Sequence, residues 1–541
     1  MSISNINYLK SCPINHPSDS NALEQERIFL RNQEHLEQEG VFWAERLHHL
    51  TSFEALPDKI LIKGHLIVTP SNICSFALLS SKNVELESSL ECHQIRLSHV
   101  LDKDTHHFGE EKWGFFPQKL KVNGDVQLSN LHGLFSLSEV FQVERDLALE
   151  DCQELQFLSE HLEVGNNLKI TNCTALTSLP ARLEIKYNLT VSDCSALTAL
   201  PQGLKVGNNL NLSHCRTLAC LPKGLKIGKN LNLSFCSALT HLPEEFEIEN
   251  DLTLSYCPLL KALPDKLKIN GSLYLFHCIG ITCLPEGLEV EKDLNLSSCS
   301  ALTTLPKNLK VKGFLNLPYC TSITCLPEEL EVEKDLNLSS CIALTTLPKN
   351  LKVKGSLYLY NCTSITCLPE GLEVEKDLNL SNCIALTALP KHLQIKGSLD
   401  LSNCAALTHL PEGLKVEKDL NLSNCIALIT LPKNLQVKGS LDLSNCAALT
   451  HLPEGLEVEK DLNLSNCTAL TALPKNLKIK GSLNLSNCAA LTSLPEGLEV
   501  EKDLNLSNCI ALTALPKNLQ VKGSLNLSNC IALKITPCNI L

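Results

Sequence analysis

Apolar residues recur along this chain in a fixed order. One unit reads Leu378-Asn379-Leu380-Ser381-Asn382-Cys383-Ile384-Ala385-Leu386-Thr387-Ala388-Leu389-Pro390, continues through Leu393 and Ile395, and begins again at Leu399. Leu378 to Leu380 alternates apolar and polar, which predicts a short strand with both leucines inward. Cys383 and Leu386 turn the chain and stay inside. Pro390 breaks any ladder or helix and sets a corner. Leu393-Gln394-Ile395 alternates again and predicts a second short strand, and Lys396-Gly397-Ser398 turns back to the start. A coil of 21 residues leaves no room for a full helix. The expected core is a column of leucines closed by stacking neighbours.

This pattern resembles the leucine-rich repeat family. Leu378, Leu380, Cys383 and Leu386 match that family's Leu-x-Leu-x-x-Cys-x-x-Leu segment, and Leu389-Pro390-x-x-Leu393 is similar to the short repeats of secreted bacterial effectors. The resemblance is strong over about residues 116–541 and weaker back to about residue 52. It implies a mainly β repeat solenoid with one main parallel sheet and an extended convex side. Glu375 and Lys396 stand where the family has a leucine, with Val374 and Ile395 one place earlier. A curved horseshoe and a straighter two- or three-sided β-solenoid therefore both fit, each with coils about 4.8 Å apart.

The N-terminal part departs from the pattern. Residues 1–19 read as disordered. Residues 20–50 read as a small helical cap, with Asn21 and Glu24 as a capping pair, Gly40 as a stop and a second helix over Val41 to Leu50. Residues 51–115 read as degenerate repeats, with a strand at Ile95-Arg96-Leu97 and a loop insertion over 102–113. Regular repeats fill 116–541. Leu56-Pro57-Asp58-Lys59-Ile60-Leu61 resembles the start of an F-box, which implies a ubiquitin-ligase adaptor, although the repeat template already accounts for these residues.

Composition narrows the function. The chain has 541 residues, 44 % hydrophobic but only 4 % aromatic, which suits a thin core of similar layers. Its net charge is −12 and it has no long Lys or Arg run, which argues against a nucleic-acid partner. Neither a signal peptide nor an apolar stretch of bilayer length is legible. The expected location is cytoplasmic, or secreted into a host cell without a classical signal. Nineteen of the 27 cysteines recur every 21 residues from Cys152 to Cys530, so they read as reduced, packed core residues.

Three columns invite a functional reading. Coils alternate acidic (Glu286, Glu289, Glu291) and basic (Lys307, Lys310, Lys312) with a 42-residue period, which favours attractive ladders between neighbours. Asn precedes each cysteine from Asn361 to Asn529, and stacked amides are expected to bond along the axis. In earlier coils that column reads His214, Phe235, Tyr256, His277, Ser298, Tyr319, and strand positions add Tyr274, Phe276, Phe314, Tyr358 and Tyr360. Aromatics on the solvent side of a sheet are either binding anchors or stacks that stiffen it.

Phosphate-loop, Gly-x-Ser-x-Gly and His-Glu-x-x-His motifs are not found, and Cys538 lacks the surroundings of a cysteine-dependent ligase. The expectation is a non-enzymatic scaffold without cofactor or metal. It binds a protein, by resemblance a eukaryotic host protein, through Tyr256, Tyr274, Phe276, Phe314, Tyr319, Tyr358 and Tyr360. The rivals are the ligase adaptor and a structural solenoid that self-associates end to end through its last β-edge.

Overall fold

The computed structural model describes residues 41–43, 58–68, 79, 82–94, 116–328 and 330–534. The chain divides into two units, Met1–Lys169 and Ile170–Leu541. Each is a parallel β-solenoid.

In the first unit, one sheet contains Val41–Trp43, Lys59–Lys63, Asn83–Leu86, Lys119–Val122, Val140–Val143 and His161–Val164. A second joins Leu66–Val68, Leu90–His93, Val126–Ser129 and Leu147–Glu150 in parallel. Ile60 pairs with Val84 and Val84 with Leu120, so these coils are 24 and 36 residues long. Extra residues between strands leave the register intact because only the inward apolar residues must align.

The helical cap is corrected here. Val41–Trp43 is a strand in register with Leu61–Lys63. Val, Phe and Trp favour the pleated conformation, and an existing parallel edge gives their backbone groups partners that a lone turn of helix lacks. No helix occurs among the described residues. The rest of the expected cap, the 1–19 segment, the strand at 95–97 and the 102–113 loop lie outside them.

In the second unit every coil repeats one plan. Leu378–Asn379 pairs with Leu399–Asp400, and Val374 with Ile395, each at an offset of 21 residues. The expectation of one main sheet is also corrected. Fourteen two-residue strands from Glu247–Ile248 to Gln520–Val521 form a second ladder, and three more lie at Glu184–Ile185, Lys205–Val206 and Lys226–Ile227. Val or Ile there packs inward as fully as the leucines do. Isolated bridges such as Cys220 to His241 and Cys367 to Ala388 mark a third side. In one coil Leu378, Leu380, Cys383, Leu386, Leu389, Leu393 and Ile395 are all buried. Truncating any of these leucines to Ala should cost about 2–5 kcal/mol.

Corners come from local chemistry. The Leu386 amide donates to the Cys383 carbonyl at 3.0 Å, and the Leu393 amide to the Pro390 carbonyl at 3.3 Å. From Cys215 onward each buried column thiol donates to a carbonyl of the preceding coil, as Cys383 Sγ does to Leu359 O at 3.2 Å. This explains the strict cysteine column: the site needs a small apolar side chain that also donates one hydrogen bond. Burial pushes these thiols up from 9.0, to about 11 at Cys278 and about 12 at Cys383.

Candidate functional site

The residue before each core cysteine turns the chain through the left-handed region. Asn382, Asn403 and Asn424 have φ of 59°, 62° and 60°. Asn tolerates this conformation better than any other residue with a Cβ except Asp. The Asn column therefore reflects backbone geometry. The expected amide ladder appears in it only at Asn508 to Asn487, 2.8 Å, and Asn529 to Asn508, 2.9 Å, among the described residues.

The earlier coils place rings at the same strained position. His214, Phe235, Tyr256, His277 and Tyr319 have φ between 60° and 63°. A bulky residue held there costs about 1–3 kcal/mol. His214 stacks on Phe235 with centroids 4.3 Å apart, and Phe235 on Tyr256 at 4.3 Å. Tyr256 meets His277 at 5.1 Å in a tilted contact and the edge of Phe276 at 5.1 Å. A stacked pair returns about 0.5–1.5 kcal/mol, so an inner ring with two neighbours recovers about its own cost, whereas an end ring with one neighbour recovers only part of it.

The seven sequence-predicted anchors do not form one cluster. All project from the surface and none is buried. The structure brings Tyr256 and Phe276 together, with His214, Phe235 and His277 completing the group. The sequence displayed these three in the column, but only the φ values and ring contacts show that they form one stack. Tyr319 is 58 % exposed and Tyr360 44 %, and among the described residues no ring contact joins either to the stack. Phe314 is half-buried beneath the Lys334 ammonium, 4.9 Å from its ring centroid.

Tyr274 and Tyr358 occupy a position with a structural job elsewhere. In most later coils it holds Asn or Asp, whose side chain accepts the amide two residues on: Asn379 Oδ1 accepts Ser381 N at 2.9 Å, and Asp400 Oδ1 accepts Ser402 N at 2.9 Å. A tyrosine gives up that bond.

The other columns are occupied by internal contacts. Lys310 reaches Glu289 at 2.6 Å, Lys478 reaches Glu457 at 2.6 Å, and Lys522 reaches Glu501 at 3.2 Å, each one coil apart. Their hydrogen-bonded lysines hold the Glu289 and Glu457 carboxyls below the usual range. In the first unit, a groove of about 500 Å³ is lined by Lys59, Glu85, Lys119, Lys121 and Gln142, but Lys121 already pairs with Glu85 at 3.1 Å. Among the described residues no group of three or more His, Cys, Asp or Glu converges as metal ligands, and no helix is long and apolar enough to cross a membrane. No protein-family model matches the chain, and no curated protein is similar to it.

Proposed function

We propose that this protein is a non-catalytic scaffold that binds another protein through the ring stack His214, Phe235, Tyr256, Phe276 and His277. The observation that carries this reading is the strain. Four successive coils hold rings in a left-handed conformation where later coils use Asn, and stacking at most offsets the cost at the inner rings and falls short at the ends of the stack. Residues that lower stability and face solvent are the kind a binding function retains. A preformed stack on a rigid ladder also loses little ordering entropy on binding. Tyr274, Phe314, Tyr319, Tyr358 and Tyr360 extend the surface over the next coils.

On this reading the coils are leucine-rich repeats of the type found in secreted bacterial effectors. The partner is then a eukaryotic host protein, met after export. The support for that step is the Leu-x-Leu-x-x-Cys segment and the Leu-Pro corner, an argument by resemblance.

The test compares the full chain with a Phe235→Asn, Tyr256→Asn variant, using the residue that later coils place there. Partner capture from a host lysate and thermal stability are measured together. A binding role predicts loss of a captured protein with unchanged or higher Tm. A purely structural stack predicts the reverse: lower Tm and the same captured proteins.

A further inference from the structure

A second surface lies on later coils. From Ser339–Leu347 to Ser507–Leu515, nine successive coils repeat the segment exemplified by Ser381–Leu389, and none of the nine contains Asp, Glu, Lys or Arg. The charges of these coils sit elsewhere, as at Lys391, Lys396 and Asp400. In a chain of net charge −12, this is a face on which two identical copies can approach without opposing like charges.

The face has relief. Ile342, Ile384, Ile426 and Ile510 project from it, 44 %, 52 %, 55 % and 46 % exposed. The coils between them carry Thr363, Ala405, Ala447, Thr468 and Ala489 at the same position. Knobs therefore alternate with gaps at about 4.8 Å per coil.

We propose that this face pairs with the same face of a second copy in an antiparallel, two-fold dimer. A two-fold axis between the coils of Ala405 and Ile426 sets Ile426 over Ala405 of the partner subunit, Ile384 over Ala447 of the partner subunit, and Ile342 over Ala489 of the partner subunit. Every knob of this set meets a gap, and the match is reciprocal, as an isologous interface requires. In this register eight of the nine coils overlap, spanning about 38 Å, and five residues of width add about 15 Å, with Ile510 outside the overlap. Each copy would bury on the order of 600 Å², which reaches the lower limit of a specific interface. Phe235 and Tyr256 lie on other coils, and of the proposed partner surface only Tyr360 falls within this face, so the pairing does not rest on the ring-stack reading.

Sedimentation velocity of the full chain in reducing buffer, from about 1 to 100 µM, tests it. The native chain should dimerise and stop there. Ile384→Lys with Ile426→Lys should raise the dissociation constant at least about tenfold, or ~1.4 kcal/mol. Ile384→Thr with Ile426→Thr, which uses the residue found at Thr363 and Thr468, should weaken pairing in the same direction and guards against misfolding. A native chain that stays monomeric at 100 µM overturns the proposal. So does a dimer that neither double variant weakens, or growth beyond the dimer that ignores both variants, which would mean end-to-end stacking.

Discussion

Phe235 and Tyr256 occupy the same position of adjacent coils, stack at 4.3 Å with 10° between their planes, and both hold φ near 60°. Replacing Phe235 alone with Asn should relieve one strained ring and remove two stacking contacts. Those effects nearly cancel, so thermal denaturation should show a change within about 1 kcal/mol. A loss above about 3 kcal/mol would mean the stack is a structural element and not a binding surface.

The 42-residue period has a steric origin as well as an electrostatic one. Asp251 Oδ1 accepts the Ser272 amide of the next coil at 2.8 Å, and a Cβ on the neighbouring Gly271 would lie 2.5 Å from that oxygen. Gly313, Gly397 and Gly481 stand in the same relation to Asp293, Asp377 and Asp461. Gly271→Ala should therefore destabilise by about 1–3 kcal/mol. Asp251→Ala in the same chain should recover part of that loss, and a double-mutant cycle by chemical denaturation measures it. Additive effects would remove the Asp251 account and assign the clash to the Asn250 backbone, whose carbonyl carbon is also 2.5 Å from that Cβ.

The cysteine column makes the fold alkali-sensitive. Burial raises Cys194, Cys278 and Cys509 to about 11, and Cys236, Cys320 and Cys383 to about 12, from an ordinary 9.0. Below pH 9 folded and unfolded chains both keep these protons. Above it the unfolded chain releases them first, so stability falls as pH rises through 9 toward 12. Many thiols act together, so circular dichroism against pH should show a steep unfolding step in that range. A stability flat from pH 8 to 11 would contradict it.

Thiol access should divide the cysteines cleanly. Cys283, Cys325 and Cys367 are exposed, whereas Cys299, Cys341 and Cys383 are buried. Brief alkylation of the native chain followed by peptide mass spectrometry should mark the first three and spare the second three. Comparable labelling of Cys383 would show that the coils open locally on that timescale.

The charge ladder predicts a salt-dependent effect. Lys310→Glu sets a carboxylate beside Glu289 on one side and Glu331 on the other, its register partners. Tm should fall slightly at low salt, and the deficit should vanish in 1 M NaCl, where the screening length is about 3 Å. A deficit unchanged by salt would point to lost packing of the lysine stem.

The repeating order of Leu378, Leu380, Cys383, Leu386 and Leu389 was enough to read the period, the inward faces and both short strands. Inward apolar positions follow from side-chain alternation and need no knowledge of distant contacts. The alternation of Glu289 and Lys310 was equally legible, because stacking at a fixed period makes sequence neighbours at 21 residues into spatial neighbours. The tertiary structure alone decided three other things. It showed Val41–Trp43 to be a strand, because a parallel edge at Leu61–Lys63 outweighs local helix signals. It made the Val374 and Ile395 ladder a sheet of its own. It also gave the column of Asn382 and Phe235 its meaning, since a left-handed φ depends on how one coil closes onto the next, and no residue pattern states an angle.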